Sequence, residues 1–154
     1  MSATNKPKLL VAADSFLPRW DGIARSLSEL LPHMAKDFEI KLIIPNYPGD
    51  RPVLDGVTYV PLPLIPFLHS GDCRFPWVRP SVIRREIQWA DILWTHTAVS
   101  IGGSCIREAK KRGVPIASMI HSAEWVVYGK AAFMAKRLSE WIWLSIARKR
   151  YANA

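Results

Sequence analysis

Two histidines at the ends of predicted strands are the residues of this chain best suited to site chemistry. His96 closes the segment DILWTH, His121 closes PIASMIH, and Gly102-Gly103 opens a predicted helix after the first of them. An imidazole titrates near neutral pH, so it acts as an acid, a base or a polar contact. Because open α/β sheets bind ligands at the carboxyl ends of their strands, we expect both histidines to line one crevice. The alternative is a hydrogen-bonded structural role for each.

Other reactive side chains near the histidines give weaker signals. Glu124 follows His121 by three residues, which suits a base or polar contact, or else a surface or capping carboxylate. No carboxylate or cysteine completes a metal-ligand set at a suitable spacing, so we expect no metal site. Ser104 and Cys105 do not stand in a nucleophile-elbow context, and we assign neither as a nucleophile.

The loop before the first predicted helix is a second candidate ligand site. Residues 8–31 are typical of strand, loop and helix, with the apolar run LLVAA ending at Asp14 and the helix opening near Ile23. The chain contains no GxGxxG and no GxxxxGK[ST], so classical dinucleotide and P-loop sites lose their main support. A helix N-terminus at Gly22 suits a phosphate or carboxylate, unless the glycine only permits a tight turn. Asp21 is a natural N-cap there and would weaken anion binding through like charge.

Alternating strands and helices must position these residues. The pattern predicts strands at residues 9–13, 38–45, 57–63, 91–96 and 115–121, and helices near 23–36, 80–90, 99–112 and from 125 onward. The third strand is expected at the periphery, because Pro61 and Pro63 cannot donate to a ladder. Residues 64–78 are predicted to form a long irregular loop. The alternation indicates an α/β fold with a mostly parallel, Rossmann-like sheet, right-handed crossovers and helices on both faces.

Composition indicates one cytoplasmic domain. The chain has 154 residues, of which 49% are hydrophobic, enough for a single core. Its two cysteines do not make a disulfide framework, which favours a reducing compartment. The N-terminus has no signal-peptide-like apolar segment, and no run of about 18 uncharged apolar residues predicts a membrane span.

The net charge of +8 is concentrated near the end of the chain, where residues 130–150 hold six basic residues and one acidic residue. Lys136, Arg137 and Arg148 flank Trp141 on the last predicted helix, and Trp77 lies in the predicted loop. This pattern suits an anionic membrane surface at the cytoplasmic face, or else a solvated or interdomain helix. No recognised motif accompanies the charge, so we expect no nucleic-acid partner.

Four motifs in order resemble a known family. Asp14, Phe16, Pro18 and Gly22 match its first loop, D-x-F-x-P-x-x-G-G, in which Asp21 replaces the first glycine. Residues 90–96 match its A-D-I/V-[IL]-x-x-H segment, residues 113–122 match its G-V-P-hydrophobic-H-[DST] segment, and the final helix enters a phrase like R-x-x-Y-x-x-A-D. The chain therefore resembles the N-terminal domain of retaining GT-B glycosyltransferases of glycosyltransferase family 4.

The resemblance implies a division of labour between two domains. Residues 1–154 would be the acceptor-binding half, and a C-terminal domain outside this sequence would bind the nucleotide sugar, with no obligatory metal or other cofactor. The acceptor would be a lipid or a glycan, and this half alone would be inactive. The alternative is a non-catalytic membrane- or anion-binding α/β module.

The resemblance also implies roles for individual residues. His121 would contact the donor sugar and help to organise the transition state, and His96 would line the acceptor side. Gly22 would allow close approach of the backbone to the donor diphosphate or the acceptor, and Asp21 would meet acceptor hydroxyls. Ser122 would join the substrate-binding group, as would Glu124.

Overall fold

The described part of the chain folds into two sheets and three helices. The computed structural model describes residues 6–70 and 73–121, together with residues 144, 145, 148 and 149. The strands are β1 (Lys8–Ala12), β2 (Glu39–Pro45), β3 (Val57–Leu62), β4 (Leu64–Ser70), β5 (Cys73–Pro76), β6 (Ile92–Thr95) and β7 (Ile116–Ser118). The helices are α1 (Gly22–Met34), α2 (Pro80–Trp89) and α3 (Ile101–Arg112).

The larger sheet contains five parallel strands in the order β3-β2-β1-β6-β7. β1 is central, with Leu10 opposite Lys41 of β2 and Leu93 of β6. Four of its five residues are buried, as expected for a parallel strand covered on both faces. β3 lies at the edge, as the sequence predicts, and an edge strand tolerates Pro61 because its open side has no neighbour that requires an N–H, which proline lacks.

Helices cover both faces of this sheet, so the predicted Rossmann-like α/β class is confirmed. Side chains of a strand alternate between the two faces. Leu9 and Val11 of β1 accordingly join a core that contains the buried face of α1, whereas Leu10 and Ala12 join a second core with α2 and α3. The layered arrangement places the start of each helix next to the edge where the strands end.

The prediction of an irregular loop over residues 64–78 is wrong. β4 and β5 form a separate antiparallel hairpin, with Leu64 opposite Pro76 and Ser70 opposite Cys73. The register shifts between Leu64 and His69, so prolines in this segment do not have to supply ladder hydrogen bonds. Prolines that interrupt the two-residue alternation hide a strand signal in the sequence, but a two-stranded ribbon with few pairs accepts them.

Two predicted strands also extend too far. The sequence assigns residues 91–96 and 115–121 to strands, but the structure ends β6 at Thr95 and β7 at Ser118. Thr95 and Ser118 are the last paired residues, and one further hydrogen bond, from the N–H of Met119 to the carbonyl of Thr95 at 2.8 Å, closes the ladder. His96 therefore follows its strand directly, whereas His121 lies three residues past the end of β7.

The predicted final helix lies largely outside the described residues. Residues 144, 145, 148 and 149, which the structure does describe, are helical. In the described ranges, no helix combines the length and apolar character that crossing a membrane requires.

Candidate functional site

Asp14 joins the carboxyl end of β1 to the start of α3. One carboxylate oxygen accepts the backbone N–H groups of Ser100 at 3.1 Å and Ile101 at 2.6 Å, and the other accepts that of Gly102 at 3.2 Å. The hydroxyls of Thr97 and Ser100 donate to the same carboxylate. Ser100 makes no capping bond with its own side chain, so Asp14 caps α3 from a distant part of the sequence. The amides that would attract an anionic ligand at this helix end are already engaged.

Packing at the same junction requires a glycine. A Cβ atom on Gly102 would lie 1.9 Å from the carbonyl oxygen of Thr97 and 2.7 Å from Oγ1 of Thr95. The Thr95 hydroxyl donates to that Thr97 carbonyl at 2.5 Å, which fixes the turn between β6 and α3. Gly102 thus allows α3 to begin close enough to the strand ends for its N–H to reach Asp14.

His96 and His121 come into direct contact at the sheet edge. Nδ1 of His96 lies 2.7 Å from Nε2 of His121, and the rings stack with centroids 5.0 Å apart. The backbone N–H of His96 donates to the carbonyl of Ala12 at 2.9 Å, and its ring meets Trp94 edge-on at 4.1 Å between centroids. Both histidines therefore lie at the carboxyl edge of the sheet, and their role in a ligand site stays a prediction.

The two rings differ in burial and in chemistry. His96 is 1% exposed, and its Nε2 has no hydrogen-bond partner in the part of the chain that is described. Burial, aided by the neighbouring His121, lowers the pKa of His96 from 6.5 to about 3. We assign the proton to Nδ1 of His96, which donates to His121, because an unpaired buried acceptor costs less than an unpaired buried N–H. The exposed ring of His121 then carries its own proton on Nδ1, away from the pair.

Asp21 caps α1, as predicted. Its backbone is extended, and one carboxylate oxygen accepts the N–H of Ala24 at 2.9 Å. The other oxygen accepts the hydroxyl of Ser15 and lies 3.8 Å from Nε of Arg19. Because this carboxylate stands at the helix entrance, an anion would meet like charge there.

Gly22 has no structural requirement for glycine in the described chain. It is the first residue of α1, its φ is not in the left-handed region, and a Cβ atom would meet nothing within 4 Å. The alternative that Gly22 permits a tight turn is therefore wrong. The open space in front of it is compatible with close approach of another molecule.

These contacts form a continuous path along the carboxyl edge of the sheet. Asp21 contacts Ser15, the next residue after Asp14, and Asp14 contacts Thr97, the next residue after His96. His96 then contacts His121. Ser15, Thr97 and His96 are buried, so Asp21 and His121, at the two ends of the path, are its accessible members. A carboxylate and an imidazole suit hydroxyl-rich ligands better than a bare phosphate.

The remaining predicted site residues fall into two groups. Trp77 is 55% exposed, with its ring 5.8 Å from the guanidinium carbon of Arg79, and Arg148 is helical and exposed. The other predictions lie outside the described residues: Ser122, Glu124, Lys136, Arg137 and Trp141. Among the residues that are described, no group of three or more His, Cys, Asp or Glu is placed to hold a metal ion.

Two residues near this edge correct or complete the sequence analysis. The sequence analysis gives Asp14 as the end of a strand and the first residue of the loop motif but assigns it no role, although a carboxylate directly after a buried strand is a signal for a role at the ligand edge. Cys105 is buried, which raises the pKa of its thiol, and the charges of Asp14 and Glu86 add to the effect. The thiol is therefore protonated and inert, in line with the absence of a nucleophile assignment.

The fold and the edge together define a class of protein. A mostly parallel five-stranded sheet with three helices is Rossmann-like, and its edge of Asp, Thr and His side chains is consistent with one half of a glycosyltransferase. The model of glycosyltransferase family 4 matches residues 20–153, so the chain belongs to that family and is an N-terminal GT-B glycosyltransferase domain. A comparison with curated proteins finds no match.

Proposed function

We propose that this chain is the acceptor-binding half of a retaining glycosyltransferase, which transfers a sugar from a nucleotide-sugar donor to a lipid or glycan acceptor. The observation that carries the proposal is the path from Asp21 through Asp14 to the His96–His121 pair, in a chain that belongs to glycosyltransferase family 4. The accessible ends of the path, the Asp21 carboxylate and the His121 imidazole, match the hydrogen-bonding needs of sugar hydroxyls.

The proposal gives the two histidines unequal roles. His121 is exposed and orients its ring through the bond to His96, so it contacts the donor sugar and stabilises charge in the transition state. His96 is buried and neutral, so it positions His121 on the acceptor side. Asp21 and Gly22 meet the acceptor from the first loop, and a second domain supplies the nucleotide-sugar site without an obligatory metal.

Transfer is tested in the polypeptide that joins this chain to its nucleotide-sugar-binding domain. His121→Ala should lower kcat/KM by about 100-fold, because the enzyme loses a preorganised donor at the reacting sugar. His33→Ala on α1 is the matched control, since that histidine is exposed and away from the edge, and should leave kcat/KM unchanged. Wild-type turnover in His121→Ala would remove the proposed role. Transfer in the presence of EDTA tests the metal-free assignment.

We propose further that the acceptor is borne by a membrane, with the protein peripheral at the cytoplasmic face. The hairpin β4–β5 and the residue after it support this, because Phe67 in the hairpin is 101% exposed, and Leu68 and the following Trp77 are about half exposed. Large exposed apolar side chains in one segment of the chain are typical of surfaces that meet protein or lipid. A non-catalytic membrane-binding module is the second candidate, and it predicts vesicle binding by a full-length polypeptide that transfers no sugar.

A further inference from the structure

A cleft between α2 and α3 lies apart from the residues of the candidate site. Its volume is about 440 Å³, and its apolar part is formed by Val78 and Ile83. Three basic side chains line it, Arg84 from α2 and Arg107 and Lys111 from α3. The positions 104, 107, 108 and 111 recur at helical spacing, so one face of α3 is directed into the cleft. None of the sheet-edge residues of the candidate site contributes to its wall.

The cations of this cleft lack ion-pair partners within the described chain. α2 and α3 carry one carboxylate each, and both carboxylates form ion pairs with residues other than the three cations of the cleft. Glu86 is buried between Lys41 and Arg85, at 3.0 and 2.6 Å, and Glu108 accepts from Arg112 at 2.7 Å.

The hydrogen-bond partners of the two lining arginines are uncharged. Arg84 donates to the carbonyl of Pro80 at 3.4 Å, and Arg107 donates to the hydroxyl of Ser104 at 3.3 Å. No ion pair of Arg84, Arg107 or Lys111 occurs among the described residues. Three like charges in one cleft repel each other, and a bound anion would relieve that repulsion.

We propose that the α2–α3 cleft binds a phosphate or diphosphate group. Guanidinium groups donate pairs of hydrogen bonds that match phosphate oxygens, and the Lys111 ammonium adds a mobile point charge. Ser104, which also lines the cleft, offers a hydroxyl proton to the anion because its oxygen accepts from Arg107. α2 begins at the cleft with Pro80 and has no acidic residue in its first turn, so its dipole adds to the attraction.

One carboxylate also lines the cleft, and its negative charge affects which anions are expected to bind. Glu108 is tied to Arg112 and is largely buried, so its charge is compensated in place. The described cations still outnumber it on the cleft wall. The site is therefore expected to prefer a doubly charged phosphate over a singly charged anion such as chloride.

Calorimetric titration of the 154-residue chain with inorganic pyrophosphate tests the proposal. The double variant Arg84→Gln/Lys111→Gln should weaken binding by at least about tenfold, because two charge-assisted contacts are lost. The control Arg25→Gln/Lys36→Gln removes the same charge from exposed positions of α1 or just after it, and should keep the wild-type affinity. Thermal unfolding verifies that each variant is folded.

A second arm distinguishes the source of the phosphate. The same proteins are sedimented with phosphatidylcholine vesicles with and without phosphatidic acid. Loss of pyrophosphate affinity alone in the cleft variant supports a soluble phosphate, and an added loss of phosphatidic-acid-dependent sedimentation supports a lipid headgroup. The proposal is overturned when neither probe binds, or when both charge-matched variants weaken binding equally. Sugar transfer by the full-length polypeptide is a separate readout, so failure of the cleft to bind phosphate leaves the proposed function intact.

Discussion

At the scale of single residues, the two imidazoles at the sheet edge have different roles, because His96 is buried and His121 is exposed. His96 is enclosed by Trp94, β1 and His121, so its environment permits the neutral ring and disfavours the charged one. A neutral His96 keeps the orientation of His121 constant over the physiological pH range. The lowered pKa of His96 therefore helps to position His121, and it also affects the stability of the fold.

His96 should make the protein less stable in mild acid. Its pKa is about 3 when folded and near 6.5 when unfolded, so the stability that neutral His96 permits is complete above pH 6.5. As the pH falls below 6.5 the unfolded chain gains the proton first, and the free energy of unfolding decreases by about 1.4 kcal/mol per pH unit. Urea unfolding between pH 5 and 7 measures this slope.

A variant separates this contribution from that of the carboxylates. His96→Phe should flatten the slope between pH 5 and 6.5, because a phenyl ring fills a similar space and does not titrate. His33→Gln on the exposed face of α1 should keep the wild-type slope. An unchanged slope in His96→Phe would mean that His96 titrates alike in both states.

At the scale of elements, the distant cap on α3 is the main link between the first strand and the rest of the sheet edge. Asp14→Ala should lower the free energy of unfolding by about 2 to 3 kcal/mol, because it leaves several helix N–H groups and two hydroxyls without their acceptor. Asp14→Asn keeps one carbonyl oxygen and should cost less. Chemical denaturation of both variants checks the order.

The control for the Asp14 cap of α3 is the local cap of α1 by Asp21. Asp21→Ala removes a single backbone hydrogen bond from α1, to Ala24, and should cost about 1 kcal/mol. Equal losses of stability in Asp14→Ala and Asp21→Ala would show that the long-range cap contributes no more than an ordinary local one.

The sequence predicts elements well where periodicity is strong and contacts are local. The five parallel strands, the edge position of β3 and the Asp21 cap all follow from neighbouring residues. The Asp14 cap does not, because its partners lie 83 to 88 residues away and no local pattern encodes them. The β4–β5 hairpin is missed for another reason: its prolines break the alternation that identifies strands.

Site prediction shows the same division. The placement of His96 and His121 at the same edge of the sheet is predicted because parallel strands end at one edge. The bond between them is not, since His121 lies beyond its strand in irregular chain. The α2–α3 cleft is also missed, because its three cations are spread over two segments and only packing of the helices brings them together. In the sequence, the dense run of charge near the end of the chain is a stronger signal than these scattered cations.

At the scale of the whole molecule, apolar and basic surfaces lie next to each other in the described chain. The hairpin exposes Phe67 and Leu68, and Trp77 follows it with its ring near Arg79. Val78, the next residue, lines the basic α2–α3 cleft. The proposed membrane contact predicts a contribution from each surface, from the side chains of the hairpin through burial and from the cleft through charge.

Salt separates these two contributions, which gives the prediction for the hairpin. Phe67 is fully exposed and has a φ of +62°, a conformation that costs a bulky side chain energy and that asparagine adopts readily. Phe67→Asn should therefore keep or slightly raise the thermal midpoint while it lowers sedimentation with phosphatidic-acid vesicles several-fold, a loss that persists in high salt because apolar burial is not screened. Val53→Asn, at a 90% exposed site outside the hairpin, should bind as the wild type does. If Phe67→Asn binds like Val53→Asn at every salt concentration, the hairpin does not contact the membrane; if its midpoint falls by several degrees, the Phe67 ring stabilises the fold and is not a free membrane contact.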